Sequence, residues 1–124
     1  MRVLVVDDEP AIARLFTQRL RKEIRDGKIS FEFAQSAGEA VELLEKSDAD
    51  FVMILSDINM PGMTGIELLE QIRLKNRQLP VYMISAYENE QYSRVSLEKG
   101  ANGFIPKPLD FSVIRKLLEL GDES

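Results

Sequence analysis

The chain has 124 residues, of which 44% are hydrophobic and 30% are charged, a composition typical of one globular domain. Its net charge of -5 without a basic run argues against nucleic-acid binding, and its apolar runs are too short to span a membrane. Because the chain has no cysteine and no histidine, disulfides, thiol nucleophiles, histidine bases and the usual zinc sites are excluded. We expect one cytoplasmic domain over residues 1–124, with no signal peptide before its first strand.

Five short apolar runs predict β-strands. The first run, Val3-Leu4-Val5-Val6, is continuous and mostly β-branched, which is typical of a strand that is buried on both faces. The run before Asp57 is likewise too short for a core helix and has the length of a buried strand. The five predicted strands cover residues 3–6, 29–34, 51–55, 81–84 and 104–105.

A segment with helical spacing follows each predicted strand. Pro10 suits a first helical turn, and apolar residues as far as Ile24 predict one helix that ends near Gly27. The fourth helix, residues 89–99, is only weakly amphipathic, whereas the last helix begins at Asp110, a typical N-cap. Five strands alternating with five helices predict a doubly wound α/β domain with a parallel sheet and right-handed crossovers.

Five side chains with useful chemistry follow the carboxyl ends of four of these strands. In a doubly wound sheet those ends share one edge, where ligands bind, so the five side chains should converge on one cleft. They are Asp7 and Asp8 after the first strand, Asp57 after the third, Ser85 after the fourth and Lys107 after the fifth.

This set predicts Mg²⁺-assisted phosphorylation of Asp57. Three carboxylates in one cleft repel one another, and a hard divalent cation such as Mg²⁺ relieves that repulsion. Lys107 supplies a mobile positive charge for a phosphoryl oxygen, and Ser85 supplies a hydroxyl donor. Without cysteine or histidine, the plausible nucleophile is a carboxylate, and aspartyl phosphates are known intermediates of phosphoryl transfer.

Each of these residues also has an ordinary explanation when it is considered alone. Asp8 and Glu9 suit the first turn of a helix, Asp57 could be a solvated turn residue, and Lys107 before a proline could be a loop lysine. Their joint occurrence at one edge, with complementary chemistry, favours a functional site.

The residues resemble the receiver domain of two-component response regulators, the fold of the chemotaxis receiver, over essentially the whole chain. That fold is flavodoxin-like, which implies the strand order 2-1-3-4-5. The resemblance rests on the ordered set Val5-Val6-Asp7-Asp8-Glu9, Ser56-Asp57-Ile58-Asn59-Met60-Pro61-Gly62 with Gly65, Ile84-Ser85-Ala86, Gly100-Ala101 and Phe104-Ile105-Pro106-Lys107-Pro108.

The resemblance implies that Asp57 accepts a phosphoryl group from a sensor histidine kinase or a phosphotransfer protein. It also implies that Asp7 and Asp8 hold Mg²⁺ together with Asp57 and the backbone carbonyl of Asn59. Lys107 would pair with the phosphoryl group, and its peptide bond with the following proline would be cis. Such a chain is a signalling phosphoacceptor that assists its own phosphorylation and dephosphorylation, and it is not an enzyme.

The resemblance further assigns switch and tuning residues. Ser85 would move toward the phosphoryl group and Phe104 would turn inward behind it. Asn59 and Tyr87 would lie beside the path of the hydrolytic water, and we hypothesise that bulky Tyr87 shields the acyl phosphate.

The predicted output surface runs from the fourth helix through the fifth strand to the last helix. Its weakly amphipathic fourth helix suits a switch, and Phe111 and Leu120 extend the apolar surface of the last helix. We expect this face to signal to an unknown output domain or target, or to form a phosphorylation-dependent homodimer. The alternative, equally weighted, is that both residues are covered by the core of the domain itself.

Three competing functions are less well supported. A haloacid-dehalogenase-type phosphatase needs a second aspartate two positions after the nucleophile, where this chain has Asn59, which cannot transfer a proton. A flavodoxin-like binding protein would cradle a phosphate in the first loop, where Asp7-Asp8-Glu9 repels it without a cation. A degenerate receiver that switches without phosphate is disfavoured because the five-residue set is intact.

Overall fold

A computed structural model describes residues 1–46, 50–86 and 90–120 of the chain. Its sheet has five strands that pair in parallel throughout, in the order β2-β1-β3-β4-β5. Both the parallel sheet and the strand order implied by the resemblance are therefore confirmed. The strands are β1 (Arg2–Val6), β2 (Ser30–Ala34), β3 (Met53–Asp57), β4 (Val81–Ser85) and β5 (Gly103–Pro106).

Within the described ranges, six helices lie between and after these strands, five of them with seven or more residues. The doubly wound α/β class is confirmed, and the five long helices correspond to the five that were expected. The helices are α1 (Pro10–Arg19), α2 (Arg21–Arg25), α3 (Ala37–Lys46), α4 (Gly65–Lys75), α5 (Glu90–Glu98) and α6 (Phe111–Leu117).

The expectation of one continuous first helix is wrong, because it is divided at Leu20. The backbone of Leu20 leaves the helical region, with φ −116° and ψ 21°, while its side chain is fully buried. The short helix α2 that follows carries Glu23 to Arg115 of α6, where the two side chains form a buried ion pair. Apolar periodicity alone reveals neither the break at Leu20 nor the ion pair that the second helix forms.

The core has two layers, one on each face of the sheet. Alternate residues of a strand point to opposite faces, so Leu4 packs with α3 and α4, whereas Val5 packs with α1 and α6. The second layer contains Phe16, whose ring meets that of Phe111 edge-to-face with a centroid distance of 5.2 Å. These layers hold the strands whose carboxyl ends carry the predicted site.

Of the two equally weighted expectations for Phe111 and Leu120, the structure confirms that the core of the domain covers them. Phe111 is 3% exposed and belongs to the core, and the half-buried Leu120 packs against the same layer. The apolar side chain that α6 does expose is Val113, which is 47% exposed. The spacing of apolar residues along α6 does not show which of them are buried. The packing of α1 against α6 decides that.

Helix α5 is weakly anchored, as its sequence predicts. Within its described part, the fully buried side chain is that of Ser96, while Tyr92 and Val95 are half-buried. The Ser96 hydroxyl has no hydrogen-bond partner among the described residues, so it adds little to the anchoring. In the part of the chain that the structure describes, no helix is long and apolar enough to cross a membrane.

Candidate functional site

Asp57 is the last residue of β3, and the start of α4 packs directly against that strand end. The Gly65 N–H donates a hydrogen bond of 2.9 Å to the Ile58 carbonyl. A Cβ atom on Gly65 would lie 2.0 Å from the Asp57 carbonyl oxygen, so no other residue fits without moving the helix. The intervening turn contains Gly62 with φ +77°, a conformation that favours glycine. This sequence turns the chain away and leaves the Asp57 carboxylate at the edge of the sheet.

Three of the predicted carboxylates converge at this edge. Asp7, Asp8 and Asp57 each offer an oxygen within 4.8 Å of the others. The side chains of Asp7 and Asp57 are only 4% and 6% exposed. Asp7 Oδ1 accepts a hydrogen bond of 2.9 Å from the Glu9 N–H. Sequence reasoning therefore brought together residues that are separated by fifty positions.

Lys107 lies against this group from the end of β5. Its Nζ atom is 2.9 Å from Asp7 Oδ2, 3.6 Å from Asp57 Oδ1 and 3.5 Å from Glu9 Oε1. The Lys107 N–H donates to the Ser85 carbonyl at 2.9 Å, and the bond to Pro108 is cis as expected. The lysine is thus shared among three carboxylates. We call Asp7, Asp8, Glu9, Asp57 and Lys107 the acidic rim.

Burial and neighbouring charges together raise the pKa values of both Asp57 and Lys107. Burial raises the pKa of Asp57 to about 6, with a further contribution from the charge of Asp7, although Lys107 opposes the shift. Burial alone would lower the pKa of Lys107, but its contact with Asp7 and the charges of Asp57 and Glu9 outweigh that effect and raise it. The single positive charge of Lys107 therefore does not balance the negative charge of the clustered carboxylates.

The rim residues fit a hard divalent cation. Asp7, Asp8 and Asp57 offer carboxylate oxygens, which Mg²⁺ and Ca²⁺ prefer as ligands. Asp7 Oδ2 is buried and, apart from its ion contact with Lys107, has no hydrogen-bond partner among the described residues. A buried carboxylate oxygen of this kind, with excess negative charge around it, is suited to coordinate a metal ion.

The remaining predicted residues surround the rim. Ser85 is fully buried at the end of β4, and its hydroxyl accepts a hydrogen bond of 3.3 Å from Asn59 Nδ2. A backbone hydrogen bond from Asn59 to Asp57 lowers the pKa of that carboxyl, against the larger effect of burial. Phe104 of β5 is half-buried and packs against the α3–α4 layer of the core. Tyr87 lies outside the described residues.

Sequence reasoning missed two contacts of this region. Glu9 was interpreted as an acid of the first helical turn, yet its side chain contacts Lys107. The contact between Asn59 and Ser85 was not foreseen either, because the residues lie 26 positions apart on different strand ends. The contact of Glu9 with Lys107 could have been inferred, because Glu9 is a third acid directly after Asp7-Asp8, at the same strand end.

Comparison with known proteins decides the family. Residues 3–119 match the family described as the response regulator receiver domain. The chain belongs to this family. The receiver is 35% identical to the chemotaxis protein CheY-3 of Vibrio cholerae over 124 residues, which cover 96% of this chain and 89% of that protein.

Solved structures agree with this assignment. The receiver resembles a CheY-like response regulator receiver domain protein from Methanospirillum hungatei, with a TM-score of 0.80, 32% identity and coverage of 95% of this chain and 93% of the other. It also resembles a chain in the co-crystal structure of the Saccharomyces cerevisiae histidine phosphotransfer protein Ypd1 with the receiver domain of Ssk1. That match has a TM-score of 0.82 and 25% identity and covers 95% of this chain and 86% of the other.

Proposed function

We propose that this receiver accepts a phosphoryl group on Asp57, with Mg²⁺, from the phosphohistidine of a sensor histidine kinase or a phosphotransfer protein. The observation that carries the proposal is the placement of Asp57. Its carboxylate lies within 4.8 Å of Asp7 and Asp8 oxygens and 3.6 Å from Lys107 Nζ. Nucleophile, acidic ligands and ammonium therefore meet at one point.

The transfer itself asks little covalent chemistry of the protein. An Asp57 carboxylate oxygen forms a bond to phosphorus while the phosphorus–nitrogen bond of the donor breaks, leaving an acyl phosphate on Asp57 and a free imidazole on the donor. A pKa of about 6 leaves Asp57 largely ionised, and so nucleophilic, at neutral pH. Lys107 is close enough to pair with the phosphoryl oxygens, as a lysine point charge does in other phosphate sites.

The acidic rim is proposed to hold the metal through Asp7, Asp8, Asp57 and the backbone carbonyl of Asn59. Bound Mg²⁺ would neutralise charge on the carboxylates and on the transferring group. The hydrogen bond between Asn59 and Ser85 links a residue that would hold the metal to the proposed switch hydroxyl. Tyr87 is proposed, with Asn59, to tune the lifetime of the acyl phosphate.

The proposed donors follow from the family and from its neighbours. In the co-crystal structure of Ypd1 with the Ssk1 receiver domain, a histidine phosphotransfer protein accompanies a receiver. We therefore propose that the receiver acts in two-component signalling, for which we expect a cytoplasmic location. We class it as a phosphoacceptor that assists its own phosphorylation and dephosphorylation, and not as an enzyme acting on other substrates.

The signal is proposed to leave through the face formed by α5, β5 and α6. Ser85 and Phe104 would change position on phosphorylation, and the weak anchoring of α5 would let the face respond. Leu97 of α5 and Val113 of α6 are 52% and 47% exposed, and they would meet an output domain, a target or a second copy. Sedimentation with and without beryllofluoride tests the homodimer, and an unchanged monomer at high concentration would exclude it.

The central experiment compares the wild type with Asp57→Asn. Both are incubated with acetyl phosphate, with Mg²⁺ or with a chelator, and phosphoryl incorporation is read by intact mass. We expect one phosphoryl group on the wild type only when Mg²⁺ is present, and none on the variant. Incorporation into Asp57→Asn, or into the wild type without metal, would overturn the proposed mechanism.

A further inference from the structure

Glu9 occupies the N-cap of α1 but does not cap that helix. An N-cap side chain normally accepts a hydrogen bond from one of the first backbone N–H groups of its helix, and that of Glu9 accepts none. Its backbone is held in place because its N–H donates to Asp7 Oδ1. Helix capping therefore does not explain where the Glu9 side chain lies.

The Glu9 carboxylate instead contacts Lys107 from the solvent side. The side chain of Lys107 is 13% exposed and that of Glu9 is 63% exposed. The ammonium is thus placed between two buried acceptors, Asp7 and Asp57, and one outer acceptor, Glu9. The outer contact, at 3.5 Å, is about as long as the 3.6 Å contact with the phosphoacceptor.

Glu9 differs from the other two acceptors in its relation to the metal. Asp7 and Asp57 belong to the group of three carboxylates whose oxygens lie within 4.8 Å of one another, and Glu9 does not. A cation held by Asp7 and Asp57 would weaken the attraction of both for Lys107. Glu9 would then remain as the one carboxylate of the three that still attracts the ammonium.

We propose that Glu9 is a positioning residue that draws the Lys107 ammonium outward and competes with the phosphoryl group of Asp57 for it. This proposal deepens the function given above and rests on it. Phosphoryl oxygens must displace Glu9 to obtain the full contact with Lys107. Glu9 therefore lowers the affinity of the site for a phosphoryl group and slows its arrival from small donors.

Two substitutions at this position separate positioning from general charge repulsion. Glu9→Gln keeps the length of the side chain and removes its charge. Glu9→Asp keeps the charge but is one methylene shorter, and aspartate is a preferred N-cap that would turn to the backbone of α1. Glu39→Gln is a matched control. Glu39 lines the same surface cavity as Asp7 and Glu9, but it makes no ion pair with Lys107.

The measurement is the equilibrium affinity for beryllofluoride in the presence of Mg²⁺, by NMR titration, together with the rate of phosphorylation by acetyl phosphate. The affinity of the metal alone is measured beside it. Because partly exposed ion pairs shift equilibria by about two- to five-fold, we expect both Glu9 variants to bind beryllofluoride about two- to five-fold more tightly than the wild type. The phosphorylation rate should rise by a similar factor, and Glu39→Gln should match the wild type.

The outcomes distinguish this proposal from the function on which it rests. If Glu9→Gln binds more tightly while Glu9→Asp equals the wild type, general charge repulsion explains the effect and the positioning role is wrong. Equal affinities for beryllofluoride in the wild type, the two Glu9 variants and Glu39→Gln would also overturn the positioning role. In that case, binding of beryllofluoride by the wild type would still support the phosphoacceptor function. A wild type that binds no beryllofluoride and takes no phosphoryl group would instead overturn the proposed function.

Discussion

Two buried groups of charges in this receiver differ in their balance. In the acidic rim, Lys107 faces three carboxylates within 3.6 Å, and burial with the charge of Asp7 raises the pKa of Asp57 to about 6. Between α2 and α6, Glu23 pairs with Arg115 at 2.7 Å, with both side chains less than 10% exposed. The acidic rim therefore carries an excess of negative charge, whereas the charges of the α2–α6 ion pair balance.

The ionisation of the two acids reflects this difference. Burial would raise the pKa of Glu23, but the hydrogen bond from Arg115, a backbone hydrogen bond and nearby positive charge outweigh it and lower the pKa. For Asp57 the balance falls the other way, because Lys107 cannot compensate both burial and Asp7. The ion pair links two helices, whereas the acidic rim keeps an excess of negative charge that a bound cation would compensate.

The largest predicted effect is the loss of the α2–α6 ion pair. Glu23→Gln removes the carboxylate that pairs with the buried Arg115 guanidinium, which should lower the free energy of unfolding by about 3–5 kcal/mol. Urea unfolding at pH 7 measures this loss. Glu32→Gln is the control, since Glu32 pairs with Arg2 at a more exposed position and its loss should cost at most about 1 kcal/mol. Equal effects of the two substitutions would show that burial of the pair does not matter.

The next effect has the opposite sign and arises in the rim. In metal-free protein at pH 7, Asp57→Asn removes a buried charge from an acidic cluster, and we expect the free energy of unfolding to rise by about 1–3 kcal/mol. Because the pKa of Asp57 is raised, the native state keeps a proton that the unfolded chain has released between about pH 4 and pH 6. The free energy of unfolding of the wild type should therefore fall as pH rises from about 4 to about 6.

The pH dependence of this difference is the check on its cause. Urea unfolding should give wild type and Asp57→Asn nearly equal free energies of unfolding near pH 4. Between pH 4 and pH 7, the free energy of unfolding of the variant should increasingly exceed that of the wild type. Because the pKa of Glu23 is lowered, Glu23 contributes in the opposite sense, and its stabilisation is lost as pH falls below its unfolded value. An advantage of Asp57→Asn that persists unchanged at pH 4 would mean that it does not arise from the charge.

The smallest effect is that of Mg²⁺, which should act on the rim alone. A ligand at ten times its dissociation constant stabilises the native state by about 1.4 kcal/mol. We expect that increment for the wild type and for Glu32→Gln, and little or none for Asp57→Asn. Thermal unfolding with Mg²⁺ and with a chelator measures it. A full increment in Asp57→Asn would place the cation somewhere other than the acidic rim.

Much of this molecule could be predicted from local patterns. Five apolar runs of strand length gave the sheet, and the Asp57 stretch ended where a parallel sheet opens to ligands. The Asp110 N-cap is confirmed by the hydrogen bond that its side chain accepts from the Ser112 N–H. Such signals are local, because capping, strand length and periodicity depend on residues only a few positions apart.

Other features could not be decided from local patterns, for a shared reason. The break at Leu20, the choice between exposure and coverage of Phe111, and the contact of Glu9 with Lys107 all involve partners far along the chain. Phe16 covers Phe111 from 95 positions away, and Lys107 attracts Glu9 across 98 positions. Periodicity assigns a residue to a face of its own helix, but it does not reveal what packs against that face.

The sequence by itself determined the fold class, the strand order through its family resemblance, and the meeting of Asp7, Asp8, Asp57 and Lys107 at one edge. It did so because parallel strands place their carboxyl ends together whatever the details of packing. Only the tertiary structure decided the distance from Lys107 to each carboxylate, the break between α1 and α2, and the buried partner of Glu23. Those depend on distances of a few ångströms and on burial, both of which arise only when remote segments pack together.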